Sequence, residues 1–305
     1  MIADQSEEAA DTCCASCGIA EVDEIKLKEC DGCDLVRYCS DDCKEDHRSQ
    51  HEAKCRERAV ELRDEILFRQ PESSHMGDCP ICFLPFPLIP YTSTMTMMWC
   101  CSKMICNGCS HVDNTRQWKE KRQQPKCPFC RRPVPKTQEE AKKMKMKRAA
   151  AGNDPDAMRE MGGKHCNEGD YDSAFKYFTK AAELGDADSH HNLSVLYRKG
   201  EGVEKDGAKE LYHLEEAAIL GHPEARFNLA CCEEEKNRYD RAVKHLIIAA
   251  NLGQDNSIQA LQKHYKDGLV SKEDFAAALR AHHAAVNETK SPQREAAAKY
   301  YSAHA

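Results

Sequence analysis

The sequence has no long apolar run. Nothing in it approaches the roughly 18 apolar residues that a bilayer-spanning helix requires, so no membrane association is expected. Its first residues, MIADQSEEAAD, are acidic and have no apolar core, so they do not read as a secretory signal peptide. A Ser-His-Asp arrangement, a glycine loop for phosphate and a pair of carboxylates set for acid–base work are also missing. That leaves no catalytic residue to name. Cysteine is scarce only in the second half: of 19 in all, 16 fall between Cys13 and Cys130, and Cys166, Cys231 and Cys232 lie beyond. Without secretion, dense cysteine points to metal rather than to disulfides. A cytoplasmic or nuclear protein is expected.

Basic charge is short at both ends. Residues 1–75 hold 10 Lys and Arg against 20 Asp and Glu, and residues 153–305 hold 20 against 26. The middle is basic, with 8 against 3 over residues 76–135 and 6 against 2 over 136–152. Four thiolates on one Zn2+ leave about −2 per site, which offsets part of that surplus. With an acidic first module as well, nucleic acid is not an expected partner. Proteins are.

The densest pattern runs from Cys79 to Cys130. Cys79-x2-Cys82 is followed by the adjacent pair Cys100-Cys101, then by Cys106-x2-Cys109 and Cys127-x2-Cys130. Eight thiols in four pairs are the ligand count for two tetrahedral zinc ions, with structural disulfides or buried free thiols as the alternatives. Upstream, Cys14, Cys17, Cys30, Cys33, Cys39, Cys43, His51 and Cys55 make a second set of eight. His51 and Cys55 are spaced i and i+4, which puts them on one face of a helix. Such short modules cannot bury enough apolar surface to fold alone, so metal must supply the missing free energy.

The pair order in Cys79–Cys130 resembles a RING finger. The resemblance implies interleaved sites, with Cys79, Cys82, Cys106 and Cys109 on one zinc and Cys100, Cys101, Cys127 and Cys130 on the other. Lys103 stands where that family places a histidine, and the adjacent Cys100-Cys101 pair is expected to replace it, as in all-cysteine variants. The family's contacts to a ubiquitin-conjugating enzyme map onto Ile81, Pro128 and Arg131, with Trp118 as the candidate aromatic. CDGCDLVRYCSDDCKEDHRSQHEAKC (30–55) resembles a MYND finger. That implies one zinc on Cys14, Cys17, Cys39 and Cys43 and another on Cys30, Cys33, His51 and Cys55, with His47 a rival to His51. It also implies docking of short proline-containing peptides. Four zinc ions are expected, two per module.

Beyond Pro135, the stretch TQEEAKKMKMKRAAAG lacks an apolar stripe but is rich in helix formers, and reads as an exposed basic helical linker ended at Gly152. Its Lys142–Arg148 run is a candidate nuclear signal or a solvated face. The chain then repeats itself: Ala-Ala-x-x-Gly closes at Gly185, Gly221 and Gly253, 36 and then 32 residues apart. That period suits helix-turn-helix arrays. The segment from His191 to Ala230, with its Gly200-x-Gly202-Val203 loop, resembles a Sel-one-like repeat, a tetratricopeptide relative. Cys166, Cys231 and Cys232 read as buried small hydrophobes, and the scattered histidines as surface or cap residues.

The expected fold is two small cross-braced zinc modules followed by an all-α repeat solenoid. Its segments are an acidic tail (1–12), a MYND-like module (13–55), a helix and hinge (56–77), a RING-like module (78–135), a linker (136–152), repeats (153–290) and a closing helix or tail (291–305). The leading functional expectation is a RING-type ubiquitin ligase that recruits a conjugating enzyme and, through the repeats and the first module, its substrates. The alternative is a scaffold that only docks proteins.

Overall fold

A computed structural model describes residues 13–22, 25–88, 95–120 and 124–303 of the chain. The acidic tail assigned to residues 1–12 lies outside them. By its internal packing the chain divides into two units, Met1–Arg69 and Gln70–Ala305.

In the first unit, strands β1 (Lys28–Glu29) and β2 (Arg37–Tyr38) pair antiparallel ahead of helix α1 (Asp41–Leu67). The Ser40 side chain accepts a hydrogen bond from the Cys43 N–H at 3.2 Å, and Asp41 and Asp42 suit the positive end of the helix dipole. No glycine or proline interrupts the 27 residues of α1. The helix expected over 56–70 is therefore the second half of the same helix that carries His51 and Cys55. Its apolar residues divide, with Leu67 buried at 1% while Val60 is 64% and Ile66 45% exposed.

The second unit opens with strands β3 (Met95–Met97) and β4 (Met104–Cys106), which pair antiparallel and lead into helix α2 (Asn107–Lys119). A small core of Cys79, Phe86, Met95, Ile105, Cys106 and Cys109 lies beneath them. Helices α3 (Gln138–Ala150), α4 (Pro155–Asn167), α5 (Tyr171–Glu183), α6 (Ala187–Lys199), α7 (Gly207–Ile219), α8 (Pro223–Glu235), α9 (Tyr239–Asn251), α10 (Asp255–Lys266) and α11 (Lys272–Glu288) then pack in sequence. This is a right match for the expected all-α array. The paired alanines 181–182, 217–218 and 249–250 are all buried and let neighbouring helices approach closely. Gly185, Gly221 and Gly253 follow each pair at φ +83°, +84° and +90°, the left-handed positions that end these helices.

Several expectations need correction. The basic segment over 138–150 is the helix expected, but it is not exposed all round, because Ala141 and Ala149 are buried and Ala149 joins Ala157, Met158, Met161 and Ala181 in one cluster. Its buried stripe is made of alanine, too small to register as amphipathic. Cys231 is exposed and Cys166 and Cys232 half-buried, so none of the three is a fully buried hydrophobe. The histidines run the other way: His190, His222, His245, His264 and His282 are buried. A closing helix, α12 (Pro292–Ala303), packs against α2.

Candidate metal centres

Four hairpin tips share one plan. Cys13 pairs with Ala20, Asp78 with Pro85, Met97 with Met104 and Lys126 with Pro133, each pair seven residues apart. Five residues after the first member of each pair the backbone turns left-handed, at Gly18 (φ 74°), Phe83 (55°), Ser102 (55°) and Arg131 (61°). The N–H of that residue donates to the carbonyl four positions earlier, belonging to Cys14, Cys79, Met98 and Cys127 respectively, at 2.8–3.1 Å. Three of these carbonyls belong to cysteines. In the remaining tip Met98 occupies the cysteine's place, and Cys100 brings a thiol from two positions further on. The register thus explains how an adjacent Cys100-Cys101 pair can stand in for a spaced one.

Ligand atoms converge in four sets: Cys14, Cys17, Cys39, Cys43; Cys30, Cys33, His51, Cys55; Cys79, Cys82, Cys106, Cys109; and Cys100, Cys101, Cys127, Cys130. Within each set they all lie within 4.8 Å of one another. Zn–S bonds of about 2.3 Å in a tetrahedron put neighbouring sulfurs roughly 3.8 Å apart. Sulfur separations are 3.6 Å for Cys17–Cys39, 3.7 Å for Cys30–Cys55 and 3.8 Å for both Cys82–Cys106 and Cys101–Cys127. Cys100–Cys130 is tighter, at 3.1 Å. All are far longer than a disulfide's 2.05 Å, and the thiols are free. The donors fit zinc in number, type and spacing. Cys13 stays outside, and His47 Nδ1 lies 3.1 Å from the Tyr38 hydroxyl instead of joining the set.

The first thiol of two knuckles is set apart from thiols such as Cys55 and Cys109, which burial pushes up. Burial pushes the Cys14 thiol up, but N–H donors from Cys17, Cys39 and Ser16 outweigh it and bring it down to about 6. At Cys79 the same contest, with N–H groups of Cys106, Cys82 and Ile81, ends at about 7. One further group was invisible to sequence reasoning. Arg294, on α12, places its Nη2 3.6 Å from Cys82 Sγ and donates to the Leu84 carbonyl at 3.0 Å. Its Nη1 donates to Pro85 and Thr289 carbonyls at 2.6 Å each. Gly108 on α2 permits this approach, since a Cβ there would lie 2.9 Å from the Arg294 nitrogen. Carbonyl partners carry no side-chain signature, so nothing in the sequence announces this contact.

The four residues mapped from the RING resemblance are accessible. Ile81 is 39% and Trp118 81% exposed, Arg131 is exposed and Pro128 half-buried. Phe83, not singled out from the sequence, is 76% exposed on the same knuckle as Ile81. Lys103 places its ammonium 5.8 Å from the Phe129 ring centroid, away from metal ligation.

A fifth cluster joins His75, Asp188 and His222. Both imidazoles aim Nε2 at Asp188 Oδ1, at 3.1 and 3.3 Å, and Arg159 Nη1 lies 3.2 Å from Oδ2. His222 Nδ1 accepts the Ala225 N–H at 3.1 Å, so its proton belongs on Nε2. The His75 and His222 rings stack at 4.3 Å with 13° between planes. A metal lies in the plane of each imidazole that binds it, and two nearly parallel planes cannot share one ion. The cluster is a hydrogen-bonded network. Burial pushes the Asp188 carboxyl up, yet hydrogen bonds from His222 and His75 and the charge of Arg159 hold it well below the usual carboxylate range.

Comparison with known proteins identifies two of the parts. Residues 14–55 match the MYND finger family, and residues 155–186, 187–222 and 223–254 match the Sel1 repeat. The chain therefore carries a MYND finger, which implies zinc binding, followed by Sel1 repeats, which generally mediate protein–protein interactions. Residues 155–186 and 223–254, on either side of the unit that carries the Gly200-x-Gly202-Val203 loop, are matched as repeats in their own right. A RING-type finger is not among the matches. "Putative beta-lactamase HcpC" of Helicobacter pylori is 44% identical over 55 residues, 18% of this chain. The chain thus spans 19% of the length of that relative. A Sel1 repeat protein from Oxalobacter formigenes aligns at 26% identity and TM-score 0.43, over 49% of this chain and 65% of that one. The Escherichia coli protective antigen c5321, displaying an SLR fold, aligns at 20% identity and TM-score 0.39, over 55% of this chain and 37% of that one. No helix among the described residues is long and apolar enough to cross a membrane.

Proposed function

We propose that the chain is a zinc-dependent scaffold that brings other proteins together. Four zinc ions would be held by the four ligand sets, two in the MYND finger and two in the Cys79–Cys130 module. Zinc there supplies folding free energy rather than chemistry, since each set spends four side chains and leaves no open position. The observation that carries the reading is what the knuckles leave outside: Ile81, Phe83 and Trp118 stand exposed on a module whose interior is spent on metal ligands. Exposed apolar side chains grouped on one small module mark a docking surface. Metal analysis of the purified chain should find four zinc per molecule, and two or fewer would overturn the ligand assignment.

A second reading is favoured by the exposure of Ile81, Trp118 and Arg131 together with Pro128. On this reading the Cys79–Cys130 module recruits a charged ubiquitin-conjugating enzyme and holds it in a reactive geometry beside a substrate bound elsewhere on the chain. Discharge of ubiquitin from a panel of charged conjugating enzymes by the zinc-loaded full chain tests it. Acceleration lost on both Ile81→Ala and Arg131→Ala supports recruitment. No acceleration with any enzyme, from a chain holding its zinc, leaves the scaffold alone.

A further inference from the structure

Between the β3–β4 hairpin and the inner helices of the repeats lies a cavity of about 1170 Å³. This exceeds the roughly 300–1,000 Å³ of small-molecule pockets. One wall is apolar and soft, built from Met76, Phe86, Met95, Met97, Trp99 and Met104. Four of the chain's 10 methionines are gathered there. Thioether side chains adapt to differently shaped apolar partners, which suits a wall that receives side chains from another chain.

The opposite wall is acidic. Among the described residues, Glu72, Glu160, Asp188, Glu224, Asp255 and Glu288 line the cavity, against Arg159 as its one lining Lys or Arg. Arg159 is already engaged with Asp156, Asp186 and Asp188. Helices α6, α8 and α10 begin at this wall, and their dipoles alone would attract an anion. Each, however, carries a carboxylate in its first turn (Asp188, Glu224, Asp255), which cancels that attraction. Glu72 and Glu288 face the space without an ion pair among the described residues. The rim already shows what such a space accepts: Lys145 lays its ammonium 4.0 Å from the Trp99 ring centroid while pairing with Glu160.

We propose that this cavity docks a short segment of a partner protein that combines lysine or arginine with large apolar side chains. The cations meet Glu72, Glu224 and Glu288, the apolar side chains enter the methionine wall, and the Asn192 and Asn256 amides are placed to pair with peptide groups. The proposal rests on the scaffold reading and names the partner's chemistry.

The test uses the zinc-loaded full chain and three fluorescein-labelled synthetic octapeptides: alternating Leu and Lys, alternating Leu and Glu, and alternating Ser and Lys. The Leu/Lys peptide is expected to bind at least tenfold more tightly than either control. Glu72→Lys with Glu288→Lys, both exposed and outside the core, should weaken it tenfold or more, and so should Met97→Glu. Unchanged thermal unfolding of the double variant separates lost docking from lost fold. Equal binding of all three peptides, or undiminished binding by the double variant, overturns the proposal. Preference for the Leu/Glu peptide overturns it in favour of an anion site. If the Leu/Lys peptide fails while proline-containing peptides still bind through residues 14–55, this proposal falls and the scaffold reading stands.

Discussion

At the scale of single residues, the four hairpin tips show how little freedom a metal knuckle leaves. The position after the second thiol must turn left-handed, a conformation that costs a side-chain-bearing residue roughly 1–2 kcal/mol. Gly18 meets it freely, whereas Phe83, Ser102 and Arg131 bear the strain. The Met98 tip is the informative exception. Cys100→Ser should lose one zinc per molecule, and Met98→Cys added to it should restore that zinc, because the new thiol stands where the other tips place theirs. Metal stoichiometry of the two variants decides it, and a Cys100→Ser chain that keeps all its zinc would show that Cys100 is not a ligand. Cysteine spacing made most of these sites legible in the sequence, since chelation fixes the interval between donors. The exchange of Met98 for Cys100 was not legible as a register, because the pairing of Met97 with Met104 sets it.

Among the elements, two adjacent glycines in α4 give opposite expectations. A Cβ on Gly162 would lie 2.6 Å from the Phe178 ring, while one on Gly163 meets nothing within 4 Å. Gly162→Ala should therefore destabilise the array by about 1–3 kcal/mol through overpacking. Gly163→Ala should stabilise it by about 0.5–1 kcal/mol through helix propensity alone. Chemical denaturation of both variants reads the pair. The repeats themselves were legible because a repeated alanine pair and glycine must recur wherever the same packing recurs. Helix α3 was legible as a helix but not as a packed one, since its buried face is alanine and a hydropathy pattern registers bulk. The buried histidines were also missed. Half-buried His75 meets Asp188 across 113 positions and buried His264 meets Glu234 across 30, so their placement depends on partners that local sequence does not show.

On the scale of the whole molecule, three histidines of the repeats make the array sensitive to acid. Burial lowers His191 and His222 to about 4 and His245 to about 3, so all three are neutral in the folded chain at pH 7. Unfolded, each would titrate near 6.5. The unfolded chain therefore binds more protons between about pH 6.5 and 4, and stability falls as pH drops through that window. Hydrogen exchange of α6–α9, measured at pH 7 and pH 5 after correction for intrinsic rates, should show faster opening at pH 5. Reading the repeat helices separates this from acid release of zinc elsewhere. Equal protection at the two pH values would mean the imidazoles accept protons without cost.

Arg294 joins distant parts of the second unit. Arg294→Ala should speed zinc loss to a chelator from the Cys79 set, since the variant removes a cation beside four thiolates and three hydrogen bonds to backbone carbonyls. Release as slow as in the unaltered chain would leave the contact a matter of helix packing alone. The guanidinium reaches Cys82 across 212 positions of sequence. During synthesis, then, the first knuckle of this module emerges long before the group that braces it. Until residue 294 has left the ribosome the thiols of Cys79 and Cys82 stand without that cover, and a chain cut short after the repeats but before residue 294 would lack it at a metal cluster 212 positions upstream.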